Sequence, residues 1–208
     1  LKIEAYGDAP GPIGRLYRDH PEQFPDPDTA LVMKQSAILL LNEHGYRENL
    51  TRVFARDRKY ISNYAADQCC RLLDCLGVGL SAFSSLRDRF CINPFSMREY
   101  AERIEAGHLP LNRGLVRDRD ADLRWHVVLP LKNMWVSKRE FFERTGERAE
   151  EIFRPEWAAL VAHGLVEESD RRFQLTSLGQ FFADEVCTQF YHPDYLPFSL
   201  KHYRQGPL

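Results

Sequence analysis

The sequence predicts an α/β fold: an α/β part up to about residue 112, then a mainly helical domain with one small hairpin. Three observations carry this expectation. The stretch from Leu72 to Ser84 opens as an apolar run and is punctuated by Gly77 and Gly79, which reads as a buried strand. Upstream, Pro25-Asp26-Pro27-Asp28 starts an apolar-striped segment that stops at Asn42-Glu43-His44-Gly45, the pattern of a capped helix. Beyond about Leu115 the glycine-punctuated strands give way to short amphipathic helices, most of them announced by a capping residue.

In order, Leu1 to Gly7 is strand-like, with Ile3 and Ala5 on one face. The chain begins Leu1-Lys2-Ile3, without a methionine, and is expected to start inside a domain. Asp8 to Asp28 is dense in proline and glycine and reads as loop. The helix that follows has Asp26 as N-cap, Leu31, Ile38, Leu39 and Leu41 on its stripe, and Gly45 as a left-handed cap. Tyr46 to Phe54 reads as a strand and Ala55 to Asn63 as an exposed charged segment.

Within the Leu72–Ser84 stretch, glycines two apart clear one face of a strand. Another backbone or a ligand can then approach closely. One use is tight packing; another is the rim of an α/β barrel, where strand ends line a cofactor site. Periodicity does not separate them. Leu86 to Pro94 reads as loop. Ser96 with Glu99 forms a capping box for a helix through Tyr100 and Ile104 to Gly107.

In the second half, Asp118 or Asp120 begins a helix carrying Leu123, Trp125 and Val127, with Pro130 expected to break or kink it. Ser137 and Glu140 make another capping box. A third helix carries Trp157 and Leu160. Residues 165–175 read as a hairpin around Ser169-Asp170, and Thr176 caps a final helix with Phe181, Phe182 and Phe190. This order is winged-helix-like. The final helix carries Asp184 and Glu185 and no basic residue, which argues against nucleic acid.

Composition narrows the function classes. The 208 residues are 44% hydrophobic and carry a net charge of -2, so the surface lacks a general grip on nucleic acid or acidic membranes. No apolar run is long enough to span a bilayer. Five scattered cysteines suggest reduced thiols and a cytoplasmic protein. Cys69, Cys70 and Cys75 match no zinc or iron–sulfur spacing and read as helical packing, so no metal ligands are assigned. The seven histidines show no metal spacing either.

Asp74, Gly77, Gly79, Ser81, Ala82 and Ser84 resemble the D-x-x-G-x-G-x-S-A-x-S stretch of the oxygen-independent coproporphyrinogen III oxidases, a radical S-adenosylmethionine (SAM) family. Further marks follow in order: Asn93 with Tyr100, Arg113-Gly114, Asp122 with Arg124, Leu165-Val166, and Leu175-Thr176 with Gly179. Upstream, Phe24-Pro25-Asp26 and Gly45-Tyr46 also fit. The resemblance runs from about Pro21 to Phe190. It implies the C-terminal part of a partial (β/α)6 barrel over residues 1–112. A small, mostly helical, winged-helix-like domain is implied over residues 113–208.

In that family a CxxxCxxC loop holds a 4Fe–4S cluster that cleaves SAM, and the resulting radical leads to oxidative decarboxylation of a propionate. This chain contains no CxxxCxxC, so the resemblance implies SAM and a cluster whose ligands belong to the missing N-terminal half of the barrel. Two departures bear on the porphyrinogen reaction. Asn63-Tyr64-Ala65-Ala66-Asp67 stands where the oxidases have N-F-Q-G-Y, and Arg52-Val53-Phe54-Ala55 stands where they have D-H-F-A.

The resemblance nominates Gly77, Gly79, Ser81 and Phe83, with Asn63 and Tyr64 on a facing loop, as cofactor-binding residues. Asn93 and Arg113 are the substrate candidates: Arg113 could hold a carboxylate bidentately, and Asn93 could instead cap a turn. The expected partner is a small-molecule substrate, such as a porphyrinogen, with no nucleic acid and no membrane. Two function classes remain: a fragment of a radical SAM enzyme, or a cluster-less homologue that binds haem, SAM or protein. Trp135, placed after the expected helix break, is the residue expected to reach toward the glycine strand and cover it.

Overall fold

The computed structural model describes residues 12–196. The strand expected over residues 1–7 lies outside them. The chain divides into two compact units: described residues 12–48 with 53–61, and residues 49–52 with 62–196.

The first unit holds helices α1 (Pro12–Asp19) and α2 (Pro27–Glu43). Sequence reading expects loop where α1 stands. Pro12 presets the backbone of the first helical turn, which a count of prolines misreads as a breaker. α2 is as expected: Asp26 caps it, its Oδ1 accepting from Thr29 N–H at 2.9 Å, and Gly45 follows at φ +81°. Yet α2 buries no residue, and Leu31, Val32, Met33, Leu39 and Leu40 are exposed. The strand expected over residues 46–54 is two short strands, β1 (Arg47–Leu50) and β2 (Val53–Ala55), in a sheet of their own. Arg52, at φ +68°, makes the turn between them. The boundary between the units runs through this hairpin.

The second unit opens with a helical turn, α3 (Asn63–Ala65), continued by a π-helical turn over Ala66–Cys70. The stretch expected as a buried strand is an extended loop joined to the sheet by one bridge, Cys75 to Ser85. Leu72, Gly79 and Ser81 take φ of 51°, 98° and 51°, conformations a strand does not contain. The strand begins only at β3 (Phe83–Leu86). It pairs with β4 (Arg89–Ile92), in the segment read as loop, and β4 pairs with β5 (Arg113–Val116). α4 (Met97–Glu105) connects β4 to β5, with Ser96 accepting from Glu99 N–H as its capping box requires.

The remainder is organised by α5 (Arg119–Lys132), capped by Asp118. Pro130 lies in the last turn of α5, which stops two residues later at Lys132. A second antiparallel sheet, ordered β6-β8-β7, joins β6 (Trp135–Ser137), β7 (Val166–Glu168) and β8 (Arg172–Leu175). Helices α6 (Lys138–Thr145), α7 (Ala149–Ile152) and α8 (Arg154–Ala162) lie between β6 and β7 in sequence. The expected final helix is split at Phe182 into α9 (Ser177–Phe181) and α10 (Ala183–Thr188). The expected hairpin is β7–β8, and Ser137 and Thr176 cap α6 and α9 as read.

These elements enclose one core: Leu123, Val127 and Leu131 of α5, Val136 of β6, Phe141, Trp157, Phe173, Val186 and Phe190 are all buried. The Trp157 ring stacks on Phe173 with centroids 3.9 Å apart, and its Nε1–H donates to the Ala149 carbonyl at 3.0 Å. A fully buried large apolar side chain contributes about 1.5–3 kcal/mol. Gly179 is required here, since a Cβ on it would meet the Leu165 carbonyl oxygen at 1.9 Å. Phe83, Phe90 and Trp125 form an aromatic row that ties the first sheet to α5.

Candidate functional site

The residues nominated from sequence come together around the glycine loop to different degrees. Gly77 packs its backbone directly on Phe83: a Cβ at Gly77 would stand 2.4 Å from the Phe83 carbonyl oxygen. The close approach that glycine permits here is made by the chain's own next strand. Gly77 N–H donates to Ser84 Oγ at 3.0 Å. Asn93, 3% exposed, donates from Nδ2 to the carbonyls of Gly77 at 3.3 Å and Gly79 at 2.9 Å. Gly79 N–H donates to the Tyr100 hydroxyl at 3.2 Å, and Ser81 N–H to the Pro94 carbonyl at 2.9 Å.

The result is a clasp. Asn93, Tyr100, Ser84 and Pro94 hold a loop whose backbone a strand ladder would not hold. Two residues of it are left outward. Leu76 and Val78 are 71% and 80% exposed, and the N–H and C=O of each take no hydrogen bond among the described residues. Phe83 is exposed beside them, so the loop presents an apolar edge with unused backbone polar groups.

The other nominees stand apart or at the margin. Asn63 and Tyr64 are exposed on α3. Arg113 is on β5, opposite Ile92 in register, and is therefore next to Asn93 across the ladder. Trp135 is half-buried on β6 and lines a crevice of about 20 Å³ with Cys70 and Leu72, the residues that lead into the glycine loop. Its ring also lies under the Arg172 guanidinium at 5.5 Å.

Sequence reading missed Tyr100 and Ser84 as parts of the clasp, although both are marks of the resemblance. It also missed Arg117 and His126. His126, on α5, has its Nδ1 2.8 Å from the Asp122 carbonyl, and burial pushes its pKa down, with the neighbouring Arg144 and Arg117 acting in the same direction. No feature of spacing distinguishes either residue before α5 and the β3–β4 turn are placed together.

The thiols do not form a ligand set. Among the described residues no three His, Cys, Asp or Glu side chains gather as a metal site. Burial pushes Cys70 up to about 11 and Cys187 up to about 12, so both are protonated thiols at neutral pH. No helix among the described residues is long and apolar enough to cross a membrane.

Comparison with known proteins gives the same direction as the motifs. The family model of the HemN C-terminal domain matches residues 135–182, the segment built on the β6-β8-β7 sheet. The chain is also similar to several oxygen-independent coproporphyrinogen III oxidases. The oxidase of Escherichia coli is 22% identical, aligned over 80% of this chain and 40% of its own length. That of Pseudomonas aeruginosa is 24% identical over 95% of this chain and 45% of its own. That of Salmonella typhimurium is 26% identical over 56% of this chain. In fold, the chain is similar to coproporphyrinogen III oxidase (HemN) from Escherichia coli, described as a radical SAM enzyme. The TM-score is 0.62 at 24% identity, over 80% of this chain and 42% of that one. The chain thus spans less than half the length of the oxidases it matches.

Proposed function

We propose that this chain acts as the C-terminal portion of a cytoplasmic radical SAM enzyme related to oxygen-independent coproporphyrinogen III oxidase, with a tetrapyrrole or another small organic molecule as substrate. In this reading residues 1–112 belong to a partial α/β barrel, and residues 113–208 form its winged-helix-like C-terminal domain. The observation that carries the reading is the clasp. The residues that resemble the oxidases, Gly77, Gly79, Asn93 and Tyr100, are the same residues that hydrogen-bond one loop into a single shape.

The two implied cofactors fit this chain unequally. The cysteines do not fit an iron–sulfur cluster, whose ligands are grouped thiolates. SAM fits better. Val78 offers an unused backbone donor and acceptor, and a Cβ added at Gly79 would meet nothing within 4 Å. SAM bound here would supply the carbon radical of such a reaction. This chain's residues would orient the cofactor through Val78 and exclude water with Leu76, Val78 and Phe83. Ser81 and Phe83 hold the loop's exit, while Asn63, Tyr64 and Arg113 would be reached by the substrate side. Asn93 acts in this scheme as a positioning residue, through the two carbonyls it binds, and Trp135 as a cover near Leu72.

The test is to supply the chain with the CxxxCxxC-bearing half of one of the oxidases, load the cluster anaerobically, and measure 5′-deoxyadenosine release. Release that falls on Val78→Pro, which removes an unused N–H at the apolar edge, supports the proposal. SAM retention without release makes the chain a binding module. Neither retention nor release overturns the reading.

A further inference from the structure

A cavity of about 300 Å³ is lined by the turn of the β3–β4 hairpin, the start of α5 and Arg144 of α6. Its most confined charge is Arg117, whose side chain is 3% exposed. Two of the three guanidinium nitrogens are engaged: Nε donates to Asp122 Oδ1 at 3.0 Å, and Nη2 donates to the Arg87 carbonyl. The guanidinium also lies over the Trp125 ring, 4.7 Å from its centroid. The third nitrogen, Nη1, is buried and has no acceptor. A buried donor on a permanent charge is costly to leave unpaired, and native folds rarely do so without something to supply the acceptor.

We infer that this cavity binds a small carboxylate, with Arg117 Nη1 as the anchoring donor and Arg87 and Arg144 at the mouth. The guanidinium keeps its bond to Asp122 and turns Nη1 toward the entering oxygen. Charge selects the ligand. Three arginines line the cavity, but so do Asp74, Asp88 and Asp122. Asp122 is committed to Arg117, and Asp74 Oδ1 accepts from the Arg87 backbone N–H at 2.9 Å. His126 is held toward its neutral form by burial and adds no positive charge. A singly charged, planar acceptor suits this balance, whereas a phosphate dianion would meet the uncommitted carboxylate of Asp88. Volume restricts the ligand further, since about 300 Å³ is at the low end for small-molecule sites.

This site is separate from Arg113 and does not depend on the radical SAM reading, because its test needs no cofactor. Butyrate is titrated into the full chain while the Trp125 indole N–H and the Arg117 Nε–H are followed by NMR, with inorganic phosphate at matched ionic strength as the second arm. Saturable shifts with butyrate below about 10 mM, and weaker ones with phosphate, are expected. Arg117→Lys should weaken binding at least about tenfold, since a lysine cannot present the same fork. Arg87→Ala and Arg144→Ala, both at exposed positions, should each weaken it several-fold with the spectrum of the Trp157–Phe173 core unchanged. Arg113→Ala should leave it unaltered. Absence of saturation, stronger binding of phosphate, or butyrate binding indifferent to all three arginines would each overturn the proposal. If Arg117→Lys fails to fold, the two mouth variants decide.

Discussion

The two sheets of the second unit are alike in size and opposite in what secures them. The β6-β8-β7 sheet contributes Val136, Phe173 and Leu175 to a core closed by α5, α8 and α10. The β3-β4-β5 sheet, with the glycine loop, leaves Leu76, Val78, Phe83, Leu115 and Val116 exposed, and keeps its shape through side chains aimed at backbone. The first is stabilised by area removed from water, the second by a few directional bonds. Residues that serve stability therefore concentrate after residue 117, and residues with unspent surface concentrate before it.

That contrast is tested most severely by truncating one side chain in each region. Trp157→Ala or Phe173→Ala should cost about 3–5 kcal/mol by urea unfolding, because each leaves a large cavity in a stacked pair. Val78→Ala should stay within about 0.5 kcal/mol. Comparable losses at both sites would erase the distinction.

Smaller effects sharpen it. Gly77→Ala forces a methyl into the Phe83 carbonyl and should cost about 3 kcal/mol, against about 1 kcal/mol at Gly79, where space is open and only the φ of +98° opposes a side chain. Asn93→Ala removes the donor to two carbonyls and should cost about 1–3 kcal/mol. Amide exchange reads both effects locally, through loss of protection at Gly79 and Ser81 without loss in β8.

The smallest expected effect is electrostatic. Burial holds His126 below its ordinary value of 6.5, so the unfolded chain binds more protons than the folded one as pH falls through that value. Stability should therefore decline from about pH 6.5 downward until the depressed folded value is passed. His126→Gln should flatten that decline; an unchanged pH profile would show that another group carries it.

What the sequence made legible follows the range of the interactions. Asp26, Ser96, Ser137 and Thr176 each bond to an amide three residues away, and all four caps are where their spacing put them. The β7–β8 hairpin is equally local. β5 was not foreseen because its partner, β4, lies more than twenty residues earlier, and β3 reads Phe-Ser-Ser-Leu, with no alternation to betray it. The glycine loop was found but misread: two glycines report that something comes close, and only the fold says that it is Phe83. The missed Arg117 is of the same kind, an ordinary arginine until its three nitrogens are counted.

The pairing of β6 with β8 also fixes an order in time. Trp135 must wait for Gln174, its partner in register, and the core must wait for Phe190. β3 and β4 are joined by a two-residue turn and can close on the scale of about 1–10 μs once made. Synthesis runs from the N-terminus, so on the ribosome assembly runs against stability. The sheet with the bare edge is finished while the chain that buries most is still in the exit tunnel, and a nascent chain paused before Phe190 carries that edge with no completed core behind it.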